Sequence, residues 1–214
     1  MTYCMSDIHG ELDKYQAMLK LINFSNKDTL IIVGDVIDRG PDGVDILLDI
    51  MSRKNVLFVL GNHEELLLST LGPNNSFGAR QIWQSNGGGK TRKDLLYCRD
   101  TETRCRIIRF LLNAPDHLEM EVNGTLFHFV HGYPGGSRDI RLWERPKKKQ
   151  PAPFADKIAV VGHTPTIDYA EDKTIPMVIW YGDGIIDIDC GCGHDDPRAR
   201  LACLCLDTMQ EFYI

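Results

Sequence analysis

Residues 29–40 read Thr-Leu-Ile-Ile-Val-Gly-Asp-Val-Ile-Asp-Arg-Gly, so an unbroken apolar run leads directly into two carboxylates and an arginine. The run Thr29–Val33 is rich in β-branched residues, and such a run predicts a strand that is buried on both faces. The segment therefore predicts a central strand, and Asp35, Asp38 and Arg39 follow where that strand ends.

Two further apolar runs end in the same way. Thr2–Met5 leads into Asp7-Ile8-His9, and Val56–Leu60 leads into Gly61-Asn62-His63-Glu64. Each predicted strand is thus followed by one polar motif.

The spacing of these motifs predicts how the strands are arranged. Asp35 follows Asp7 by 28 residues, and Asn62 follows Asp35 by 27, close to the roughly 30 residues of a βαβ unit. Apolar residues at helical spacing fill both intervals, over about 11–22 and again from about 44 to 51. Parallel strands would bring all three motifs to one edge of a sheet, where open α/β sheets bind ligands.

The rest of the chain predicts a different arrangement within a single domain of residues 1–214. Residues from about 72 to 118 break the alternation and are expected to form a mostly helical insertion over the site, with mobile glycine turns. Beyond them, strands follow one another more directly, which favours an antiparallel sheet. These strand-like runs are Leu126–Val130, Ile158–Val161, Ile185–Ile188 and Ala202–Leu206. The Pro-bounded basic segment 146–151 is expected to be a solvated loop.

Composition and charge exclude several classes of protein. The 214 residues are 43% hydrophobic and 25% charged, as in ordinary globular domains. The net charge of −6 argues against a nucleic-acid scaffold. No apolar stretch approaches 18 residues and no signal peptide pattern is present, so neither a membrane span nor export is expected. The cytoplasm is the expected location.

The cysteines leave two interpretations open. Two Cys-x-Cys pairs lie near the C-terminus, and one-residue spacing on a strand would point both thiols of a pair to one face. A structural zinc site would be one use of them. Reduced cysteines packed as small apolar residues, usual in a cytosolic protein, are the expected outcome. The seven cysteines are Cys4, Cys98, Cys105, Cys190, Cys192, Cys203 and Cys205.

The motif residues are the ligand types that a pair of divalent metals requires. Asp7, His9 and Asp35 can surround one metal, and Asp35, Asn62 and two further histidines can surround a second. His131 and His163 have the right context, since each follows an apolar run and precedes a loop. The alternative, in which these are turn and helix-capping residues, would fit any one of them but not the set. The pattern therefore predicts metal-assisted hydrolysis of a phosphate ester.

In these motifs the chain resembles the phosphoprotein phosphatase family of metallophosphoesterases, and in particular its compact bacterial and phage serine/threonine phosphatases. The resemblance covers nearly the whole chain, and the resembling segments are residues 7–10, 34–40, 61–64, 83–88, 131–132 and 162–165. It implies a four-layer α/β/β/α sandwich with mixed sheets and a helical insertion over the site. It also implies two divalent metal ions, manganese first, with iron, zinc or nickel as alternatives.

The resemblance assigns a role to each matching position. The implied metal ligands are Asp7, His9, Asp35, Asn62, His131 and His163. His63 matches the general acid and Asp38 matches its orienting partner. Arg39 matches a phosphate-binding arginine, and Asn62 also reaches the phosphate. Arg145 is the expected second phosphate-binding arginine, with Arg138 and Arg141 as rivals.

The resemblance also implies the substrate class. The expected activity is dephosphorylation of phosphoserine or phosphothreonine in a protein or peptide. The alternative is hydrolysis of a small phosphate ester or dinucleotide such as diadenosine tetraphosphate. Relatives with that activity tend to carry Asp at the position of Glu64, which favours the protein phosphatase. A catalytically inactive phospho-binding module would lack a ligand, and none is missing. Near the C-terminus, Asp189 and Gly191 are expected close to the metals, whereas the roles of Cys192 and His194 stay open.

Overall fold

The computed structural model describes residues 1–73, 75–76 and 78–214. The strands are β1 (Thr2–Met5), β2 (Thr29–Val33), β3 (Val56–Val59), β4 (His117–Val122), β5 (Thr125–Val130), β6 (Ile158–Val161), β7 (Trp180–Tyr181), β8 (Ile185–Asp187), β9 (Ala202–Cys205) and β10 (Gln210–Tyr213). The α-helices are α1 (Leu12–Leu21), α2 (Gly43–Ser52), α3 (Asn62–Leu71), α4 (Ala79–Ser85), α5 (Gly89–Lys93), α6 (Thr101–Asn113) and α7 (Arg138–Trp143). A π-helical turn covers Asp94–Cys98 and a 3₁₀ turn covers Thr166–Asp168.

These strands form two mixed sheets. The first has the order β10-β9-β1-β2-β3, with β1, β2 and β3 parallel. The second has the order β4-β5-β6-β8-β7. The predicted α/β sandwich of mixed sheets is confirmed, and so is the parallel pairing that brings the first three motifs to one edge.

Alternation along the strands explains how the layers stack. Cys4 and Ile31 point into the apolar core between the two sheets, together with Phe129 of β5. Met5 and Ile32, their neighbours in sequence, face the other way and pack with the helices. The first sheet is therefore buried on both faces, as its unbroken apolar strands predict.

The second sheet differs from the antiparallel expectation. β5, β6 and β8 are parallel, and only β4 and β7 run antiparallel to their neighbours at the two edges. The segments after β5 and β6 are long enough to cross back over the sheet, and a parallel pair requires such a crossover. This geometry brings the ends of β5 and β6 to the same side as the first three motifs.

Residues 79–113 are mostly helical, within the segment predicted as an insertion. Trp83 of α4, Leu95 of the π-helical turn and Ile107 of α6 pack into the helix-side core. Asn74 and Phe77, which belong to the same predicted insertion, lie outside the described residues. No helix in the described part of the chain has both the length and the apolar character that crossing a membrane would need.

The two C-terminal cysteine pairs behave differently from each other. Cys203 and Cys205 on β9 both join the helix-side core, as one-residue spacing on a strand predicts. Cys190 packs between the sheets while Cys192 packs on the helix side, because Gly191 between them takes φ +79° and breaks the extended backbone. Burial raises the pKa of Cys192 to about 12. This pair therefore does not converge on one metal.

Candidate metal centre

The polar motifs meet beyond the carboxyl ends of β1, β2 and β3. Backbone pairing continues past the strands, since the N–H groups of Asp7, His9 and Gly10 donate to the carbonyls of the Asp35 loop at 3.2, 3.0 and 2.7 Å. His131 and His163 arrive from the ends of β5 and β6 in the second sheet. Five strand ends thus deliver the predicted residues to one place.

The backbone of this centre is held in an uncommon conformation. In the described part of the chain, nine non-glycine residues have positive φ, and six of them belong to the predicted site. Those six are Asp7, His9, Asp35, Asp38, Arg39 and His163, with φ between 49° and 73°. Non-glycine residues in the left-handed region are strained and concentrate at functional sites. These loops therefore adopt strained backbone conformations that position the side chains of the predicted site.

Asp35 lies at the middle of the arrangement. Its Oδ2 lies 3.2 Å from Nε2 of His131 and 3.8 Å from Nε2 of both His9 and His63. Two groups of donors could each hold a metal ion, and they share Asp35. One contains His9 and His63, and the other contains His131 and His163. A carboxylate shared by two sites is the feature predicted from the sequence.

Hydrogen bonds to backbone carbonyls orient three histidine rings. Nδ1 of His9 faces the Ile37 carbonyl at 3.0 Å, and Nδ1 of His131 faces the Val33 carbonyl at 2.9 Å. Nε2 of His163 faces the Trp143 carbonyl at 3.0 Å. A carbonyl can only accept, so each of these nitrogens carries the proton. The opposite nitrogen of each ring is then free to coordinate a cation, as in metal sites with orienting second partners.

The unpartnered atoms fit a pair of cations. Nε2 of His9 is buried and has no hydrogen-bond partner. Nε2 of His131 lies 2.9 Å from Oδ1 of Asn62 and close to the Asp35 carboxylate. A nitrogen lone pair cannot face these oxygens without a proton or a cation between them. The donors are carboxylate, amide and imidazole, which suit divalent transition metals.

Charge within the centre is strongly coupled. Burial, reinforced by the Asp35 charge, raises the pKa of Asp7. Although burial alone would raise it, the rings of His131 and His63 hold the pKa of Asp35 well below its ordinary value. Burial opposes protonation of His131, but the Asp35 charge outweighs it and raises that pKa to about 10. Burial and then the His131 charge lower the pKa of His163 to about 3. A cation bound here would displace the His131 proton.

His63 is tied to a chain of partners behind the centre. Its Nδ1 lies 2.7 Å from Oδ2 of Asp38, and the indole Nε1 of Trp83 donates to the same oxygen at 2.7 Å. The N–H of Asp38 donates to Oγ1 of Thr91 at 3.0 Å. Burial disfavours the charged ring, but Asp35 and the hydrogen bond to Asp38 together raise the pKa of His63. The imidazole is therefore oriented and favoured in its protonated form.

The arginines around the centre differ in their partners. Arg138 pairs with Glu65 and Arg141 with Asp116. Nη1 of Arg145 instead donates to the His163 carbonyl at 2.9 Å, and this guanidinium has no acidic partner among the described residues. The geometry thus favours Arg145 over its two rivals as an anion-binding group.

Arg39 comes close to a residue whose role the sequence left open. Its N–H donates to the Gly87 carbonyl at 3.2 Å, and Nη1 lies 2.6 Å from Nε2 of His194. Asp189 is buried and accepts from the Gly191 N–H at 2.8 Å, which shapes the turn that leads to His194.

Two contributions could not be read from the motifs. Thr91 binds the Asp38 backbone from a helix that follows a glycine run, and nothing in its spacing marks it. Glu64, which the sequence suggests as an indicator of substrate class, is 0% exposed. Its carboxylate accepts four backbone N–H groups, those of Asp35, Val36, Ile37 and Gly61, at 2.9 to 3.3 Å. Its hydrogen bonds therefore connect the loop after β2 to the start of α3.

Comparison with known families identifies the class. The profile of the Calcineurin-like phosphoesterase family, Metallophos, matches residues 2–195. The chain belongs to this family of metallophosphoesterases, which are hydrolases. Membership implies a dinuclear site for divalent metals, and candidate donor groups are present in the structure.

Individual relatives are similar over part of the chain. A symmetrical bis(5'-nucleosyl)-tetraphosphatase from Wigglesworthia glossinidia brevipalpis is 47% identical over 68 residues, which cover 31% of this chain and 25% of the relative. One from Coxiella burnetii (strain Dugway 5J108-111) is 43% identical over 68 residues, covering 31% and 23%. The similarity thus spans about a quarter of the length of these relatives.

Solved structures share the fold over the whole chain. A protein provisionally assigned as a diadenosine tetraphosphatase superposes with a TM-score of 0.62 at 15% identity, covering 100% of this chain and 92% of the other. A metallophosphoesterase from Sphaerobacter thermophilus gives 0.59 at 18% identity, covering 99% and 86%. At such identities the likeness establishes the fold alone.

The expectation of a protein serine/threonine phosphatase is wrong. The relatives with 43–47% identity carry the name of dinucleoside tetraphosphatases instead, which was the alternative. The residue that had favoured the phosphatase, Glu64, binds only backbone groups and lies away from solvent, so it has no means of selecting a substrate.

Proposed function

We propose that this chain hydrolyses dinucleoside tetraphosphates, such as diadenosine tetraphosphate, at the middle of the tetraphosphate bridge. The observation that carries the proposal is the name shared by relatives 43–47% identical over 68 residues. The two groups of donors that share Asp35 support it. Symmetrical cleavage of such a bridge releases two nucleoside diphosphates.

The proposed metal ligands are the imidazoles grouped around Asp35, together with two neighbouring oxygen donors. Oδ1 of Asp7 lies 3.8 Å from Nε2 of His9, and Oδ1 of Asn62 lies 2.9 Å from Nε2 of His131. We assign Asp7, His9 and Asp35 to one divalent cation, and Asp35, Asn62, His131 and His163 to the other. Manganese is the first candidate, and iron, zinc and nickel accept the same donors. When bound, two such cations supply charge neutralisation for the phosphoryl oxygens and an activated water.

We assign the role of general acid to His63. Its Nδ1 is bound to Asp38, so Nε2 is the nitrogen that presents a proton to the centre. The leaving group is a terminal phosphate, whose second pKa is about 6. Such a group leaves more readily than an alkoxide. Protonation by His63 therefore contributes less to the rate here than in hydrolysis of an alkyl phosphate.

We assign substrate phosphate binding to Arg39, Arg145 and Asn62. The Arg39 guanidinium contacts the His194 ring, and the Arg145 guanidinium donates to the His163 carbonyl. Planar guanidinium groups bind phosphoryl oxygens in pairs of parallel hydrogen bonds. Neither arginine has a carboxylate partner among the described residues, so both charges are available to the substrate.

The test is hydrolysis of diadenosine tetraphosphate with manganese, followed by anion-exchange separation of the nucleotides. ADP is the expected nucleotide product, and chelation of the metal should stop its release. An Asp35→Asn variant, which removes the shared ligand, serves as the control for contaminating enzymes.

Three outcomes would contradict the proposal. Equal amounts of AMP and ATP would mean unsymmetrical cleavage. Absence of nucleotide product with manganese, iron, zinc or cobalt would exclude the activity. Faster phosphate release from a phosphoserine peptide assayed in parallel would show that the dinucleotide is not the preferred substrate.

A further inference from the structure

A groove of about 390 Å³ opens beside the metal centre. Its lining residues are Tyr133, Ile140, Glu144, Arg145, Lys147 and Gln150. The volume falls within the range of about 300–1,000 Å³ that is usual for small-molecule sites.

Two hydrogen bonds fasten the groove to the centre. The Trp143 carbonyl faces Nε2 of His163 at 3.0 Å, and Nη1 of Arg145 donates to the His163 carbonyl at 2.9 Å. The segment 143–145 is therefore bound to a proposed metal ligand, and on the other side Tyr133 follows His131 by two residues. The groove is therefore adjacent to the His163 side of the centre.

The groove carries two cations that have no acidic partner among the described residues. Arg145 and Lys147 form no ion pair, whereas the neighbouring Lys148 lies 3.5 Å from Glu171. The N–H of Lys147 donates to Oε1 of Gln150 at 2.7 Å, which folds this basic loop back on itself. Part of the segment predicted as a merely solvated loop thus forms a wall of the groove.

The remaining lining groups differ in chemistry from these cations. Tyr133 offers a half-buried aromatic ring and Ile140 an apolar side chain. Glu144 places a carboxylate in the same groove, and a carboxylate accepts hydrogen bonds from ribose hydroxyls in nucleotide sites. The cations suit the phosphates of a nucleotide, the carboxylate suits its ribose, and the aromatic ring suits its base.

We propose that this groove binds the nucleoside diphosphate half of the substrate on one side of the cleaved bond. Arg145 and Lys147 contact its phosphates, Glu144 its ribose, and Tyr133 with Ile140 its base. The inference rests on the proposed hydrolysis of dinucleoside tetraphosphates, which it deepens by assigning the groups that recognise the nucleotide.

The experiment compares Lys147→Ala and Tyr133→Leu with two matched controls. Lys148→Ala removes the adjacent lysine, and Tyr97→Leu removes an exposed tyrosine; neither residue lines the groove. For each variant, kcat/KM is measured with diadenosine tetraphosphate and with p-nitrophenyl phosphate, which has no nucleoside. The inhibition constant of ADP against p-nitrophenyl phosphate hydrolysis is measured as well, with metal in excess.

Lys147→Ala and Tyr133→Leu should each lower kcat/KM for the dinucleotide about tenfold relative to that for p-nitrophenyl phosphate. The ADP inhibition constant should rise by a similar factor, while both controls stay close to the parent protein. Equal losses on both substrates with an unchanged ADP inhibition constant would overturn the assignment. If the parent protein does not hydrolyse the dinucleotide, the proposed function fails. The ADP constants still decide whether the groove binds a nucleoside diphosphate.

Discussion

Nη1 of Arg39 lies 2.6 Å from Nε2 of His194, 155 positions further along the chain. Burial and the Arg39 charge lower the pKa of His194, so the ring is neutral and its Nε2 accepts from the guanidinium. The turn that carries His194 packs against the centre, because a Cβ on Gly193 would lie 2.4 Å from the Cβ of His9. The C-terminal turn therefore fixes the position of a proposed phosphate-binding group.

Removing this contact should weaken substrate binding without affecting the metals. We expect His194→Ala to lower kcat/KM about three- to tenfold, because one hydrogen bond to a charged group is lost. His194→Gln, which keeps an acceptor, should recover part of the loss, and the exposed His117→Ala should have no effect. Equal losses in the Ala and Gln variants would show that the acceptor is not what matters.

The role of His63 can be separated from metal binding. His63 lies in one of the two groups that could hold a metal, but its proposed role is proton donation. We expect His63→Asn to retain two metals per chain by elemental analysis and to lose about 10²–10⁴-fold in kcat. The loss should be smallest for substrates with the best leaving groups. A variant that retains one metal would instead make His63 a ligand.

The partner of His63 should set the pH dependence. Burial opposes the charged ring, but the Asp35 charge and the hydrogen bond to Asp38 together raise the pKa of His63. A general acid works only while protonated, and activity falls as pH rises through its pKa. Asp38→Asn lowers that pKa, so the alkaline limb of the kcat profile should move to lower pH. An alkaline limb that stays in place would remove Asp38 from this role. The acid limb, which other groups control, is the internal reference.

Glu64 should affect stability and not substrate choice. Asp at this position is one methylene shorter and cannot reach all four backbone donors. We expect Glu64→Asp to lower the free energy of unfolding by about 1–3 kcal/mol for each buried donor left unpaired. The ratio of activities on diadenosine tetraphosphate and p-nitrophenyl phosphate should not change. Glu65→Asp, one position along, is the control, and a shifted ratio in Glu64→Asp alone would restore this residue as a selectivity determinant.

The parallel half of the fold can be predicted because short stretches of sequence, the apolar strands and the intervals between the motifs, determine it. Unbroken apolar strands such as β2 occur only where both faces are buried, and the intervals between motifs match one crossover each. Once the strands are parallel, their ends must meet. For this reason the sequence alone predicts that Asp7, Asp35 and Asn62 lie close together.

The rest depends on packing that the sequence does not display. β4 carries charged residues at alternate positions because it is a half-exposed edge, so it lacked an apolar run. His194 reaches the site only because of a glycine turn, and Glu64 could not be distinguished from a substrate-facing acid by its neighbours. Side chains that bind backbone groups leave no periodic pattern in the sequence. For this reason the prediction of substrate class from Glu64 was wrong.

The six site residues with left-handed backbone conformation limit how the protein can be stabilised. Each such conformation costs on the order of 1 kcal/mol for a residue with a side chain. Replacement by glycine at these positions would relax the backbone and discard the chemistry at the same time. Selection for thermal stability alone would therefore favour substitutions at these positions, and the resulting proteins would be more stable but inactive. A stabilised variant that still turns over substrate must gain its stability elsewhere, for example at the exposed helix positions of α6.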